Sequence, residues 1–323
     1  MSFSDLPSEL VLHMATMLHS LRDIYALMSV STGLYRLLKK CLYQYNVDHD
    51  GSSGLIRAVK RGSLSATCYF LSLPQVDVHV RDNDGQAITH IAAQQRDGFY
   101  TMKILLRDSR ININATDLEG QTPFFYAVKH GNKETVKQLL DDPRLDPNMC
   151  SSISPLAIAA ANGSLELLEM LLCDERVDVN NQMHRSIHPL IIALFQGEGS
   201  IPRFLRVPNV NFNCCWGTMS ALMWGITFKR TTSVIELLKK DLVDVNYQDN
   251  AGRTALMLAI EEANDEVSMA LLNRKEIDLT LTDAVGQKAL DYALKSDDSR
   301  TLEILRNRLA VSNDTSNTSN FGG

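Results

Sequence analysis

Residues 117–148 read DLEGQTPFFYAVKHGNKETVKQLLDDPRLDPN, and residues 249–280 read DNAGRTALMLAIEEANDEVSMALLNRKEIDLT. Both open on D-x-x-G-x-T, pass a small or apolar pair to Ala, carry an apolar Val…Leu-Leu, and close on Asp-x-Asn or its like. The closing position falls at His79, Asn114, Asn148, Asn180, Asn211, Asn246 and Thr280, with steps of 35, 34, 32, 31, 35 and 34 residues. Spacing this regular over six intervals marks an internal repeat.

Each unit has a mechanical reading. Thr122-Pro123 starts a helix, the hydroxyl serving as N-cap and the proline standing where no donor is missed. Gly131 or Gly163 ends the first helix, where a tight turn needs a left-handed residue. A second helix puts Val136, Leu139 and Leu140 on one face. One such helix pair cannot bury its apolar face alone, whereas stacked copies can.

The unit resembles the ankyrin repeat over roughly residues 54–309, about seven units with the first and last atypical. The fold this resemblance implies is an all-α solenoid of helix pairs joined by outward β-hairpin fingers. The match is strongest at 82–148 and 247–280. It weakens at 181–211, where the stretch from Gly197 to Val210 is shortened and Pro202 is expected to interrupt the second helix. At 149–153 the finger is two residues short and lacks both Asp and Gly. Residues 54–80 read as a half-typical first unit and 283–309 as a cap. The polar tail 310–323 has nothing to bury and is expected to be disordered.

Residues 3–43 do not repeat. Pro7 sits where a helix can begin, and Leu10, Met14, Met17 and Leu18 then fall on one side of it. Ser20 with Asp23 has the spacing of a capping box for a second helix carrying Ile24, Leu27 and Met28. A third helix follows Ser31-Thr32 with Leu34, Leu37, Leu38 and Leu42. Three short helices enclose too little interior for independent stability, so the first repeat or another protein should complete the core. The segment 44–53 is polar and bears Gly and Ser, as a linker does.

This opening resembles an F-box, whose pattern is matched by Leu6, Pro7, Glu9, Leu10, Met14, Leu18, Asp23, Ile24, Leu27, Val30 and Ser31. Met14 departs from the β-branched residue usual at its site, a volume-preserving change. The resemblance implies docking onto a Skp-type adaptor through Leu6, Pro7, Leu10, Met14, Leu18, Ile24, Leu27 and Val30. That adaptor links to a cullin ligase core. The chain would then be the substrate-recruiting subunit of a ubiquitin ligase, a monomer within a hetero-complex. The alternative is an ankyrin scaffold or inhibitor with no link to ubiquitin.

Composition narrows the function classes. Apolar residues make up 45% and charged residues 22% of the 323, the balance of a folded globular protein. The net charge of −6 leaves no basic stripe for a nucleic acid. No apolar run suits a membrane span, and no signal peptide is expected. Six scattered cysteines without a C-x-x-C pair suit reduced thiols of the cytoplasm or nucleus. His184 and His188 are four apart, but Pro189 starts the helix and puts His184 outside it, so a two-histidine metal face is not expected. His90, His130 and His188 read as structural. No nucleophile–base pair, P-loop or dinucleotide fingerprint is legible, so no enzymatic activity, cofactor or metal is expected.

Ankyrin arrays bind proteins with their finger tips and first helices. Transferred unit by unit, this places His184, Arg185, Phe195, Trp216, Phe228, Glu261 and Glu262 on the face for an unidentified protein target. Phe195, Trp216 and Phe228 would form an aromatic centre beside an acidic flank. Aromatic anchors ringed by polar groups are the usual composition of a hot spot. Alternatively, the irregular repeats fold these rings into their own core.

Overall fold

The computed structural model describes residues 7–17, 21–49, 53–150, 152–181, 187–196, 199–296 and 300–308. The chain divides into two compact units, Met1–Met149 and Cys150–Gly323.

The first unit opens with α1 (Ser8–Thr16), α2 (Leu21–Ser29) and α3 (Thr32–His49). The Pro7 carbonyl accepts the Leu10 and Val11 amides and so starts α1. Ser31 Oγ accepts the Leu34 amide at 3.1 Å and starts α3. Val11, Met28, Leu34, Leu38 and Leu42 are buried together. α1 therefore turns Val11 inward, while Leu10, Met14 and Met17 face outward. α3 runs to His49, so helix occupies most of the expected linker 44–53. The reason lies in its tyrosines: Tyr45 packs on the small N-terminal core, and the Tyr43 ring lies 4.8 Å from Phe70 and 5.3 Å from Tyr69.

Helix pairs follow: α4 (Ser53–Lys60) with α5 (Leu64–Ser72), α6 (Ile88–Gln94) with α7 (Gly98–Leu105), and α8 (Pro123–Lys129) with α9 (Lys133–Leu140). First helices pack on first helices, α4 on α6 on α8, and second on second, α5 on α7 on α9. Thr122 caps α8 by accepting the Phe125 amide at 3.2 Å. Val136 and Leu139 are fully buried on α9.

In the second unit the pairs are α10 (Pro155–Ala161) with α11 (Leu165–Leu172), α12 (Pro189–Gln196) with α13 (Ile201–Phe204), α14 (Ala221–Thr227) with α15 (Thr231–Leu238), and α16 (Ala255–Glu261) with α17 (Asp265–Leu272). α18 (Ala289–Lys295) and a helical run at 300–308 follow. Two short strands, β1 (Cys215–Trp216) and β2 (Met219–Ser220), form an antiparallel finger. Pro202 does not interrupt α13; it stands in the first turn, where its missing N–H costs nothing.

Two polar devices recur. Asp82, Asp117, Asp249 and Asp283 each accept, through Oδ1, the amides two and four residues onward, closing the finger turn. Asn114, Asn180, Asn213 and Asn246 each donate to a carbonyl of the next repeat and accept an amide from it. The closing position of the irregular repeat is therefore Asn213, not Asn211, and it lies midway between Asn180 and Asn246. Asn211 takes the place that Asp178 and Asp244 hold in the neighbouring repeats, accepting the amide two residues on.

Candidate partner-binding surfaces

In the first unit the feature of interest is what α1 and α2 leave uncovered. Val11 and Met28 turn toward α3, so Met14, Met17 and Val30 remain outside around Leu27. With His13, Asp23 and Ala26 they line an open groove of about 590 Å³. Leu10, half exposed at 51%, lies on the same helix as Met14. Pro7 is exposed at its start. The structure thus brings together Met14, Leu27 and Val30 of the residues expected to dock an adaptor. Leu6 and Leu18 lie outside the described residues, as does the side chain of Ile24.

In the second unit α12 packs on α14, and α14 on α16. Phe195 ends α12, Phe228 follows α14, and Trp216 sits on β1. The Phe195 ring lies 4.6 Å from Phe228 and 6.2 Å from Trp216. Trp224, which the sequence reading did not single out, stands at the centre. Its ring is 4.9 Å from Trp216, 5.5 Å from Phe228 and 6.0 Å from Phe195. Its Nε1–H donates to the Trp216 carbonyl at 3.0 Å. Gly225 lets α14 pack closely on α15, because a Cβ there would meet Val234 Cγ2 at 2.6 Å. Trp224 was legible only from its register, four residues before the Phe228 that caps α14.

The rings are neither core nor wholly exposed. Phe195, Trp216 and Trp224 are half-buried against one another, and Phe228 is 45% exposed. Ring pairs at these separations stabilise one another while keeping edges in water. Lys229 beside Phe228 pairs with Glu262 at 3.4 Å, and Glu261 with Arg253 at 3.3 Å. The expected acidic flank is thus charge-balanced by these two ion pairs. His184 and Arg185 lie outside the described residues.

His90, His188 and Cys214 have plain local roles. His90 accepts the Ala87 amide at Nδ1, and its Nε2 meets the Gln121 carbonyl at 3.0 Å; burial holds its pKa below the ordinary value. His188 accepts the Leu190 amide at Nδ1, and burial lowers it to about 4. Burial pushes the Cys214 thiol up to about 12, which keeps it un-ionised. Among the described residues no group of His, Cys, Asp or Glu could hold a metal ion, and no helix is long and apolar enough to cross a membrane.

The family model for ankyrin repeats matches residues 55–150, 89–183, 156–249 and 222–316. A 99-residue stretch is 31% identical to a protein named putative glutaminase 3 of Caenorhabditis elegans, covering 31% of this chain and 16% of that protein. A 74-residue stretch is 34% identical to an ankyrin repeat-containing protein of Schizosaccharomyces pombe, covering 22% of this chain and 32% of the other. The chain therefore spans a third or less of these curated relatives. The crystallised ankyrin repeat domain of Bcl-3, a member of the IkappaB family, superposes with a TM-score of 0.45 at 20% identity, over 78% of this chain and 97% of that one.

Proposed function

Since the chain belongs to the ankyrin-repeat family, we propose that it recruits protein targets to a Skp–cullin–F-box ubiquitin ligase. α1 to α3 dock the Skp-type adaptor, and the repeats hold the target. One observation carries the reading: Met14, Met17, Leu27 and Val30 line an apolar groove on the two N-terminal helices, whose inward residues already have their core. Apolar side chains gathered this way cost free energy in water, about 25 cal/mol per Å², and a partner that covers them removes that cost. The F-box-like spacing of Pro7, Leu10, Met14, Leu27 and Val30 supports an adaptor as that partner.

The mechanism is proximity. A receptor bound at both ends raises the effective concentration of a target lysine near the charged conjugating enzyme. No chemistry is asked of this chain, and it works where such ligases work, in the cytoplasm or nucleus. Affinity purification of the intact chain followed by mass spectrometry tests the reading. Adaptor and cullin peptides are expected with the native sequence and lost with Met14→Asp. Their absence from both leaves the second reading, an ankyrin scaffold or inhibitor that acts by binding alone through the Phe195–Trp216–Trp224–Phe228 surface.

A further inference from the structure

The described methionines divide by exposure. Met28, Met102, Met223 and Met257 are buried, and Met170, Met219 and Met269 are half-buried. Among the described residues only Met14, Met17 and Met149 are exposed, at 38%, 61% and 39%. Two of these three stand three residues apart in the chain and line one groove with Ala26, Leu27 and Val30. Thioethers open to a solvent-borne oxidant are thus gathered on the α1–α2 face.

A thioether reacts with hydrogen peroxide by oxygen transfer. The sulfur lone pair forms an S–O bond to one peroxide oxygen and the O–O bond breaks. The other oxygen takes the transferred oxygen's proton and leaves as water, so sulfur is oxidised to the sulfoxide and the peroxide is reduced. The product carries a strong hydrogen-bond acceptor where an apolar, adaptable side chain stood. Free in water that oxygen is solvated, whereas under an apolar partner it loses its solvent and gains no donor. His13 is the one lining side chain with an N–H, against two sulfoxide oxygens.

We infer that Met14 and Met17 form a peroxide-sensitive modification site whose sulfoxides release the adaptor from the α1–α2 groove. This rests on the docking reading above, since the output of the site is the loss of that partner. A bound adaptor covers the two sulfurs, and oxidised sulfurs disfavour the adaptor, so the two events oppose each other. Removal of the oxygen by methionine sulfoxide reductase restores docking.

The intact chain is treated with hydrogen peroxide, then with dithiothreitol to restore its thiols, of which Cys68 and Cys173 are exposed. Peptide mass spectrometry should find Met14 and Met17 oxidised before the buried Met102, Met223 and Met257, at an unchanged melting temperature. Calorimetric titration with a purified Skp-type adaptor should show binding about tenfold or more weaker than for the untreated chain, recovered by the reductase. Met14→Leu with Met17→Leu, compared with its own untreated affinity, should lose this sensitivity, and Met149→Leu should keep it. An untreated chain that binds the adaptor and a treated chain that binds it as tightly overturn the inference alone. So does undiminished sensitivity in the double-leucine variant. An untreated chain that does not bind removes the docking reading, and the inference falls with it.

Discussion

The rings of Phe195 and Phe228 lie 4.6 Å apart and tilted by 55°, one ending α12 and the other following α14. Side chains from successive repeats thus meet on one surface, and Trp224 fills the space between them and Trp216.

This arrangement separates anchor from support. Phe228→Ala removes a ring that is 45% exposed, so stability should change by less than ~1 kcal/mol while partner affinity falls by ~2 kcal/mol, roughly thirtyfold. Trp224→Ala removes the central ring and its bond to the Trp216 carbonyl, and should cost ~2–3 kcal/mol of folding stability. Denaturant melts and recovery of bound proteins, measured on both variants, check the pair. Equal stability losses in the two would refute the division.

Repeat-to-repeat stitching gives a second expectation. Arg144 Nη2 donates to the Leu106 carbonyl at 2.9 Å while Asp142 holds the guanidinium at 2.7 Å. Arg110 repeats this with Leu71 and Asp108. Arg144→Ala should cost ~1–2 kcal/mol, and Arg144→Lys should restore little of it, since an ammonium cannot serve both acceptors in the planar fork. Full rescue by lysine in a urea melt would show that charge alone matters.

Stability should also depend on mild acid. His188 is held at about 4 by burial, below the ordinary 6.5, and His90 is lowered for the same reason. Between those values the unfolded chain takes up protons that the fold refuses. For His188 the contribution is therefore complete above about 6.5 and lost as pH falls toward 4, at ~1.4 kcal/mol per pH unit, and His90 acts in the same direction. His188→Asn keeps an acceptor for the Leu190 amide and should flatten the pH dependence of the melting temperature between 7 and 5. An unchanged slope would place the titration elsewhere.

Local signals were the legible ones. Thr122-Pro123 announced the cap that Phe125 uses, and the Val136–Leu139 spacing announced the buried face of α9. Which face of α1 turns inward was not legible. Leu10, Met14 and Met17 make as good a stripe as Val11, and only α3 decides that Val11 is covered. The tyrosines that carry α3 to His49 were hidden in a polar composition, because the partners of Tyr43, namely Tyr69 and Phe70, lie in a different helix. Asn213 was missed because an Asn also stands two residues earlier, and only the bonds to Leu242 and Asp244 tell the two apart. Phe195 lies near both Trp216 and Phe228, the two rings that the repeat spacing set on its face. Trp224 was passed over, since helix register rather than finger position brings it there.

In the proposed function α1 and α2 carry a docking face rather than a cap for the repeats. The most direct measurement is calorimetric titration of the purified chain with a purified Skp-type adaptor, repeated with Met14→Asp and Val30→Asp. Both side chains are exposed, at 38% and 57%, so neither variant should lower folding stability by more than the ~0.5 kcal/mol typical of surface changes. A saturable complex is expected with the native sequence and at least a hundredfold weaker binding for each variant, because a carboxylate would be buried unpaired in an apolar interface. A native chain that does not bind the adaptor, or variants that bind it as tightly as the native chain, would contradict it.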